Sequence, residues 1–178
     1  VYAGRPRGLR PRPKDLVLVK NGYVAAGITG FATIVAMAAV RPGAGLRTLL
    51  EFAAAHGVVL GLSCAHLFFR VFADAALCDL DDEESDRRHG TGTLPTYLGR
   101  TRAWTVAFGV RLGVALLLVL MVASPAPARI AWAVVTVAST LSLRLVAPRG
   151  VRDWVDVRFS MEAATVAFVL ALWRMPNC

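Results

Sequence analysis

Five long apolar stretches constrain this chain more than any other feature: Val19 to Val40, Leu49 to Cys78, Ala103 to Ala123, Ala128 to Ala147 and Phe159 to Met175. A helix rising about 1.5 Å per residue needs about 20 mostly apolar residues to cross a hydrocarbon core about 30 Å thick, and each stretch is long enough. Turn residues fall between them. Pro11 and Pro13 precede the first, Pro42 and Gly43 follow it, Pro125 and Pro127 part the third from the fourth, and Pro148 and Gly150 follow the fourth. The expectation is an all-α chain: a multi-span transmembrane helical bundle of about five helices, forming one membrane domain over residues 1–178. A hydrophobic content of 56% and a mean hydropathy of +0.56 argue in the same direction, because a soluble domain carries roughly 45–50% apolar residues. The second stretch is longer than a span requires, so its last turns, Arg70 to Cys78, are expected to enter a cavity or the head-group region.

The basic residues sort by side. Arg5, Arg7, Arg10, Arg12, Lys14 and Lys20 precede or open the first span. Arg87, Arg88, Arg100 and Arg102 lie between the second and third, and Arg144, Arg149, Arg152 and Arg158 between the fourth and fifth. Only Arg41, Arg47, Arg129 and Arg174 fall on the opposite side, with Arg70 and Arg111 inside spans. Cytoplasmic loops carry the Lys/Arg excess, so five spans place the N-terminal segment and the acidic segment on the cytoplasm-like face. The net charge of +8 therefore reads as membrane orientation and contact with anionic lipid, and no nucleic-acid-binding fold accompanies it. Residues 1–18 read as a basic, Pro/Gly-rich loop, or as a sequence entered partway, and Val1 to Lys14 lacks the apolar core of a signal peptide. Cys64, Cys78 and Cys178 have neither disulfide-framework nor zinc spacing.

Against this apolar background, seven of the twelve acids lie between Asp74 and Asp86. Asp79, Asp82 and Asp86 are spaced DxxDxxxD. Steps of three and four residues come back to nearly the same side of a helix with about 3.6 residues per turn, so the three share one narrow face, while Asp81 points elsewhere. Carboxylates crowded at the end of an apolar helix repel one another, and a divalent cation relieves that repulsion. Oxygen ligands suit hard ions, and Mg²⁺ is commonly held by one or two carboxylates together with substrate phosphates. Asp79, Asp82 and Asp86 are thus candidate ligands for Mg²⁺ and a phosphate or diphosphate ester, unless the run is simply a solvated acidic loop. An EF-hand is excluded, because counting from Asp79 the sixth position is Glu84 and the twelfth is Gly90.

The segment Cys78 to Gly99, CDLDDEESDRRHGTGTLPTYLG, resembles the second Asp-rich motif of the UbiA superfamily of intramembrane prenyltransferases: DxxDxxxD, then a Gly, a TLP-like turn and LG. Arg12 to Tyr23, RPKDLVLVKNGY, more loosely resembles the stretch that opens the second half of that family, where a Lys-Asn pair precedes a span. The resemblance implies that the chain is the C-terminal part of a bundle of roughly nine helices, with residues 79–102 as the Asp-rich loop. It also implies a function: transfer of an isoprenoid group from a prenyl diphosphate donor to an aromatic or other lipophilic acceptor. Asp79, Asp82 and Asp86 would bind Mg²⁺ and act in catalysis, and Lys20, Asn21, Tyr23 and Arg87 would contact the donor. Two departures stand out. No first Asp-rich motif of the NDxxDxxxD kind is present, so the N-terminal half that carries it is a required partner, and Gly92 stands where the family often has a basic residue.

Other polar residues have plainer readings. Lys20 doubles as a positive-inside anchor. Arg70 is expected to pair with Asp74 one turn on, and Arg111 to face a polar interior. His56 and His66, ten residues apart, do not fall on one helix face at that spacing, which argues against a shared metal. Glu162 faces a cavity or caps the last span, and Trp104, Trp154 and Trp173 fall at span ends, where aromatic belts sit. A CDP-alcohol phosphotransferase would need a DGxxAR stretch, which is absent. A non-enzymatic carrier, channel or structural subunit with a cation-binding acidic loop remains the alternative.

Overall fold

In the computed structural model, residues 18–40, 42–120, 126–143, 151, 153–158, 160 and 161 are described, and all of their regular structure is helical. The elements are α1 (Val19–Val40), α2 (Leu46–Ala55), α3 (Gly57–His89), α4 (Leu94–Leu98), α5 (Arg100–Leu120) and α6 (Ala126–Ser142), with residues 153–158 also helical. Two of these, α1 and α3, are long and apolar enough to cross a membrane. The N-terminal basic segment up to residue 17 lies outside the described residues, as does the fifth apolar stretch, with Glu162 and Trp173, apart from residues 160 and 161.

The helices pack in chain order around α3. It contacts α1 on one side and α5 on the other, and α6 packs on α5. The core cluster gathers Ala73, Ala76, Leu77 and Leu80 of α3, Leu94 of α4, Ala103, Ala107 and Phe108 of α5, and Leu143, Val151 and Val155. Small residues at 73, 76, 103 and 107 let the α3 and α5 backbones approach closely, the usual means of helix association where no hydrophobic drive between helices exists. α1 contrasts with this core. It is apolar all round yet exposes Phe31, Ile34 and Val35, an outer face that water disfavours and a hydrocarbon environment accepts.

Two expectations about segment boundaries are corrected. The stretch Leu49 to Cys78 is not one helix: it divides at His56, whose ring stacks on Phe52 at 4.3 Å and whose Nδ1 lies 3.0 Å from the Phe52 carbonyl oxygen. The Arg47–Glu51 ion pair makes α2 a short amphipathic helix with no buried residue, a polarity that apolar run length does not register. Residues 79–102 are likewise not a loop. α3 runs unbroken through the acids to His89, carried by the Glu83–Arg87 and Glu84–Arg88 pairs one turn apart.

Asp74 ties the bundle together across sequence. Its carboxylate accepts hydrogen bonds from Arg111 of α5 and from Arg158, the latter at 2.7 Å, and Arg111 Nε also donates to Thr140 Oγ1 of α6 at 2.9 Å. All four residues are buried, Arg111 completely. Arg70, the expected partner one turn away, adds its charge nearby, and the carboxylate is bound in addition from two distant helical segments that the local spacing does not reveal. Breaking a buried ion pair by removing one partner leaves the other charge uncompensated and costs about 3–5 kcal/mol. Asp74→Ala is therefore expected to lower the thermal unfolding midpoint of the purified protein in detergent by several degrees, whereas Glu51→Ala in exposed α2 leaves it nearly unchanged. Equal midpoints for the two variants would contradict this role for Asp74.

Candidate functional site

The long reach of α3 carries the acidic face beyond the apolar part of the helix, and the start of α1 meets it there. Lys20 Nζ donates to Asp79 Oδ1 at 2.8 Å, and Asn21 Nδ2 donates to Asp79 Oδ2 at 3.0 Å. Asp79 and Asn21 are only 3% and 2% exposed, so both oxygens of a buried carboxylate are satisfied by two consecutive residues of α1. The Lys20 ammonium is also within electrostatic reach of Asp82 and Asp86. The face expected from the DxxDxxxD spacing is thus turned toward α1, with Asp82 and Asp86 half-buried.

Of the four residues expected to contact a donor, Lys20 and Asn21 are brought to the acids. Tyr23 is 81% exposed, two residues further round α1, and Arg87 is exposed on α3 with Nη2 on Glu83 Oε1 at 2.7 Å. Neither is gathered at Asp79. Glu84 is exposed and paired with Arg88.

The turn after the acids is built by residues whose geometry is demanding. Gly90 takes a left-handed backbone, φ +67°, and closes α3: its N–H donates to the Arg87 carbonyl while the Thr91 N–H donates to the Asp86 carbonyl at 2.9 Å. Only glycine adopts that conformation at no steric cost. Thr93 then opens α4, its backbone N–H donating to Thr96 Oγ1 at 2.8 Å, and Pro95 lies in the first turn, where its missing N–H is not needed. Gly99, φ +79°, ends α4 and starts α5. Thr93 also stands beside the Asp86 carboxylate and favours its charge. Sequence reasoning missed that contact, and the position of Thr93 in the TLP turn was the one signal that could have found it. Arg100 was likewise missed as a site residue: it reaches back to α3, donating to the Leu80 carbonyl at 3.4 Å and lying 3.8 Å from Glu83.

The donor set can be tested against a divalent ion on this geometry. Among the described residues no three His, Cys, Asp or Glu side chains are arranged to hold an ion by themselves. Asp86 nevertheless keeps one buried oxygen, Oδ2, without a hydrogen-bond partner. Burial holds its carboxyl above the ordinary carboxylate value, with Lys20 opposing and the Asp79 and Asp82 charges adding to the rise. A nearby cation would favour the ionised form and use that oxygen. These residues fit an ion shared with substrate phosphates, which needs only one or two protein carboxylates, rather than a protein cage.

Comparison with models of known protein families, with curated proteins and with solved structures returns no match. The α1–α3 junction itself is testable. Lys20 is partly solvated, so its contact is worth less than a fully buried pair, about 1 kcal/mol. A double-mutant cycle of Lys20→Met and Asp79→Asn, read by chemical unfolding in detergent, is expected to give a coupling of that size; additive effects would mean the two side chains do not meet.

Proposed function

We propose that the chain is the C-terminal part of a multi-pass intramembrane prenyltransferase of the UbiA kind, acting with a partner segment that bears a first Asp-rich motif. One observation carries the reading: Lys20 and Asn21, from the looser of two resemblances separated by more than fifty residues, meet Asp79, from the sharper one. Two sequence signals that each point to a diphosphate site thus fall at one place, at one end of the two helices able to cross a membrane.

In this reading the site works by charge and exclusion of water. Asp79, Asp82 and Asp86 would hold Mg²⁺, which supplies positive charge to the leaving diphosphate when bound. Lys20 adds a fixed ammonium beside the same oxygens, and Asn21 holds Asp79 in one orientation, so little rearrangement is needed as negative charge builds on the leaving group. The allylic C–O bond breaks with its electron pair going to the diphosphate. A new bond forms from that carbon to an aromatic or other lipophilic acceptor, which then gives up a proton. The apolar helices keep water from the electron-poor carbon.

A second reading has an observation of its own. Both oxygens of Asp79 are already occupied by Lys20 and Asn21, which is what a structural ion pair in a carrier, channel or membrane subunit would need. Activity separates the two. With the upstream half supplied, Mg²⁺-dependent transfer from prenyl diphosphate is expected, and Asp79→Ala, Asp82→Ala and Asp86→Ala are each expected to cut turnover about 100-fold or more, in line with the loss of an electrostatic group at the leaving oxygens. Glu84→Ala, on the exposed face, and Asp81→Ala should cost far less. Equal, small effects from all five substitutions at matched expression would dismiss the prenyltransferase reading.

A further inference from the structure

α2 alone among the described helices buries no residue, yet it is not polar throughout. Leu46, Leu49, Leu50 and Ala53 recur at steps of three and four and so share one side, while Arg47, Thr48, Glu51 and Ala55 fall on the other. Leu46 and Leu50 are 73% and 60% exposed. Arg47 and Glu51 pair with each other across one turn at 2.9 Å, on the side turned away from them. Ten residues give about 15 Å of helix, half of what a hydrocarbon core requires, so α2 does not cross a bilayer.

The seam between α1 and α3 fixes the level at which α2 sits. Lys20 meets Asp79, and Thr33 Oγ1 lies 3.3 Å from Cys64 Sγ, so the two helices run antiparallel and nearly in step. The rest of α1, from Thr33 to Val40, brings its end level with Gly57, where α3 begins. Gly57 and Asp79 are about 33 Å apart along α3, close to a hydrocarbon thickness of about 30 Å. The acids therefore stand at one surface of a membrane and α2 at the other. Three placements are open to it there. Standing along the span axis, it would carry Leu46 about 15 Å out into water. Folded back on the bundle, it would draw the Arg47–Glu51 pair into hydrocarbon, where charges are costly. Lying flat, it keeps the leucines at the hydrocarbon edge and the charges in the head-group layer, as interfacial amphipathic helices do. The exposed Val58 continues that apolar edge onto the first turn of α3. We propose that α2 lies flat on the lipid surface opposite the acids, with Leu46 and Leu50 among the upper acyl chains and Arg47 and Glu51 among the head groups. The two charges cancel, so the surface that α2 takes is zwitterionic phospholipid, with no need of anionic lipid. Pinning one end of α3 in this way fixes the depth of the other, where Asp79 stands. The proposal rests on α1 and α3 crossing a membrane and does not depend on prenyl transfer.

The test places the full chain in phosphatidylcholine vesicles with Cys64, Cys78 and Cys178 changed to alanine. A nitroxide is then attached at one position at a time, through Leu46→Cys, Arg47→Cys, Leu50→Cys, Glu51→Cys or Phe31→Cys, the last on the exposed face near the middle of α1. Collision with oxygen, which concentrates in acyl chains, relative to collision with a water-soluble nickel chelate reads the depth of each label. The ratio is expected to be highest at position 31, intermediate and alike at 46 and 50, and several-fold lower at 47 and 51. Replacing half of the lipid with phosphatidylglycerol should leave these values unchanged. On the unaltered protein, a phosphatidylcholine with a diazirine near the ester end of its acyl chain should label residues 46–50, whereas one with a diazirine at the chain terminus should label Phe31 and not α2. A ratio that climbs or falls steadily from 46 to 51 would mean that the helix stands along the membrane axis. Water-like ratios at all four positions would put α2 in solvent. Scant collision with both reagents at 46 and 50, with spin–spin broadening between copies, would put a second chain over the leucines. Each of these overturns the proposal, as would a dependence on phosphatidylglycerol or a water-like ratio at position 31, which would deny the crossing itself.

Discussion

A carboxylate taken out of water must be met by donors, and α3 carries two such carboxylates five residues apart. Asp74 is met by Arg111 and Arg158, Asp79 by Lys20 and Asn21. Five residues make about 1.4 turns of helix, so the two acids look in different directions and recruit different neighbours. The remaining architecture follows from that division: α1 is drawn to one side of α3, and α5 with residue 158 to the other. The apolar core between α3 and α5 fills in around Asp74, while the acidic face belongs to the α1 seam.

This arrangement puts a stabilising network and a chemically capable surface on the same helix without merging them. The Asp74 network is enclosed, with Thr140 taking up a further Arg111 donor, and such enclosure favours rigidity over exchange with a ligand. The Asp79 end differs. Lys20 is partly solvated, Asp86 retains an unpartnered oxygen, and Asp82 and Asp86 are only half-buried. Groups in that condition can take a new partner without first dismantling the bundle, which is why the proposed chemistry is assigned there.

The turn from Gly90 to Gly99 links the two functions. Its glycines and Thr93 look, in a string of letters, like companions of the acids. In the fold they set the angle at which α3 stops and α5 begins, and Thr93 stands beside Asp86. Arg100, placed by the same turn, reaches back to the Leu80 carbonyl. Positioning of the last acid therefore depends on backbone geometry as much as on the acid itself.

Helicity, the single face shared by Asp79, Asp82 and Asp86, and the turn at Pro42 and Gly43 were legible in the sequence, because periodicity and the turn preference of proline and glycine are local properties. Tertiary structure decided the remainder. The full set of residues that answers Asp74 could not be read locally, since Arg70 one turn away is the obvious choice and the bonds from Arg111 and Arg158 come from positions 37 and 84 residues distant. The break at His56 was hidden because apolar run length says nothing of where one helix ends and another starts. Tyr23 and Arg87 have the same chemical promise as Lys20 and Asn21, yet helix rotation turns Tyr23 outward and gives Arg87 to Glu83. The sequence by itself determined which residues can act as ligands and donors, through their chemistry and spacing. Only the packing of α1 against α3 decided which of them meet, because that choice depends on contacts more than fifty residues apart that no local pattern records.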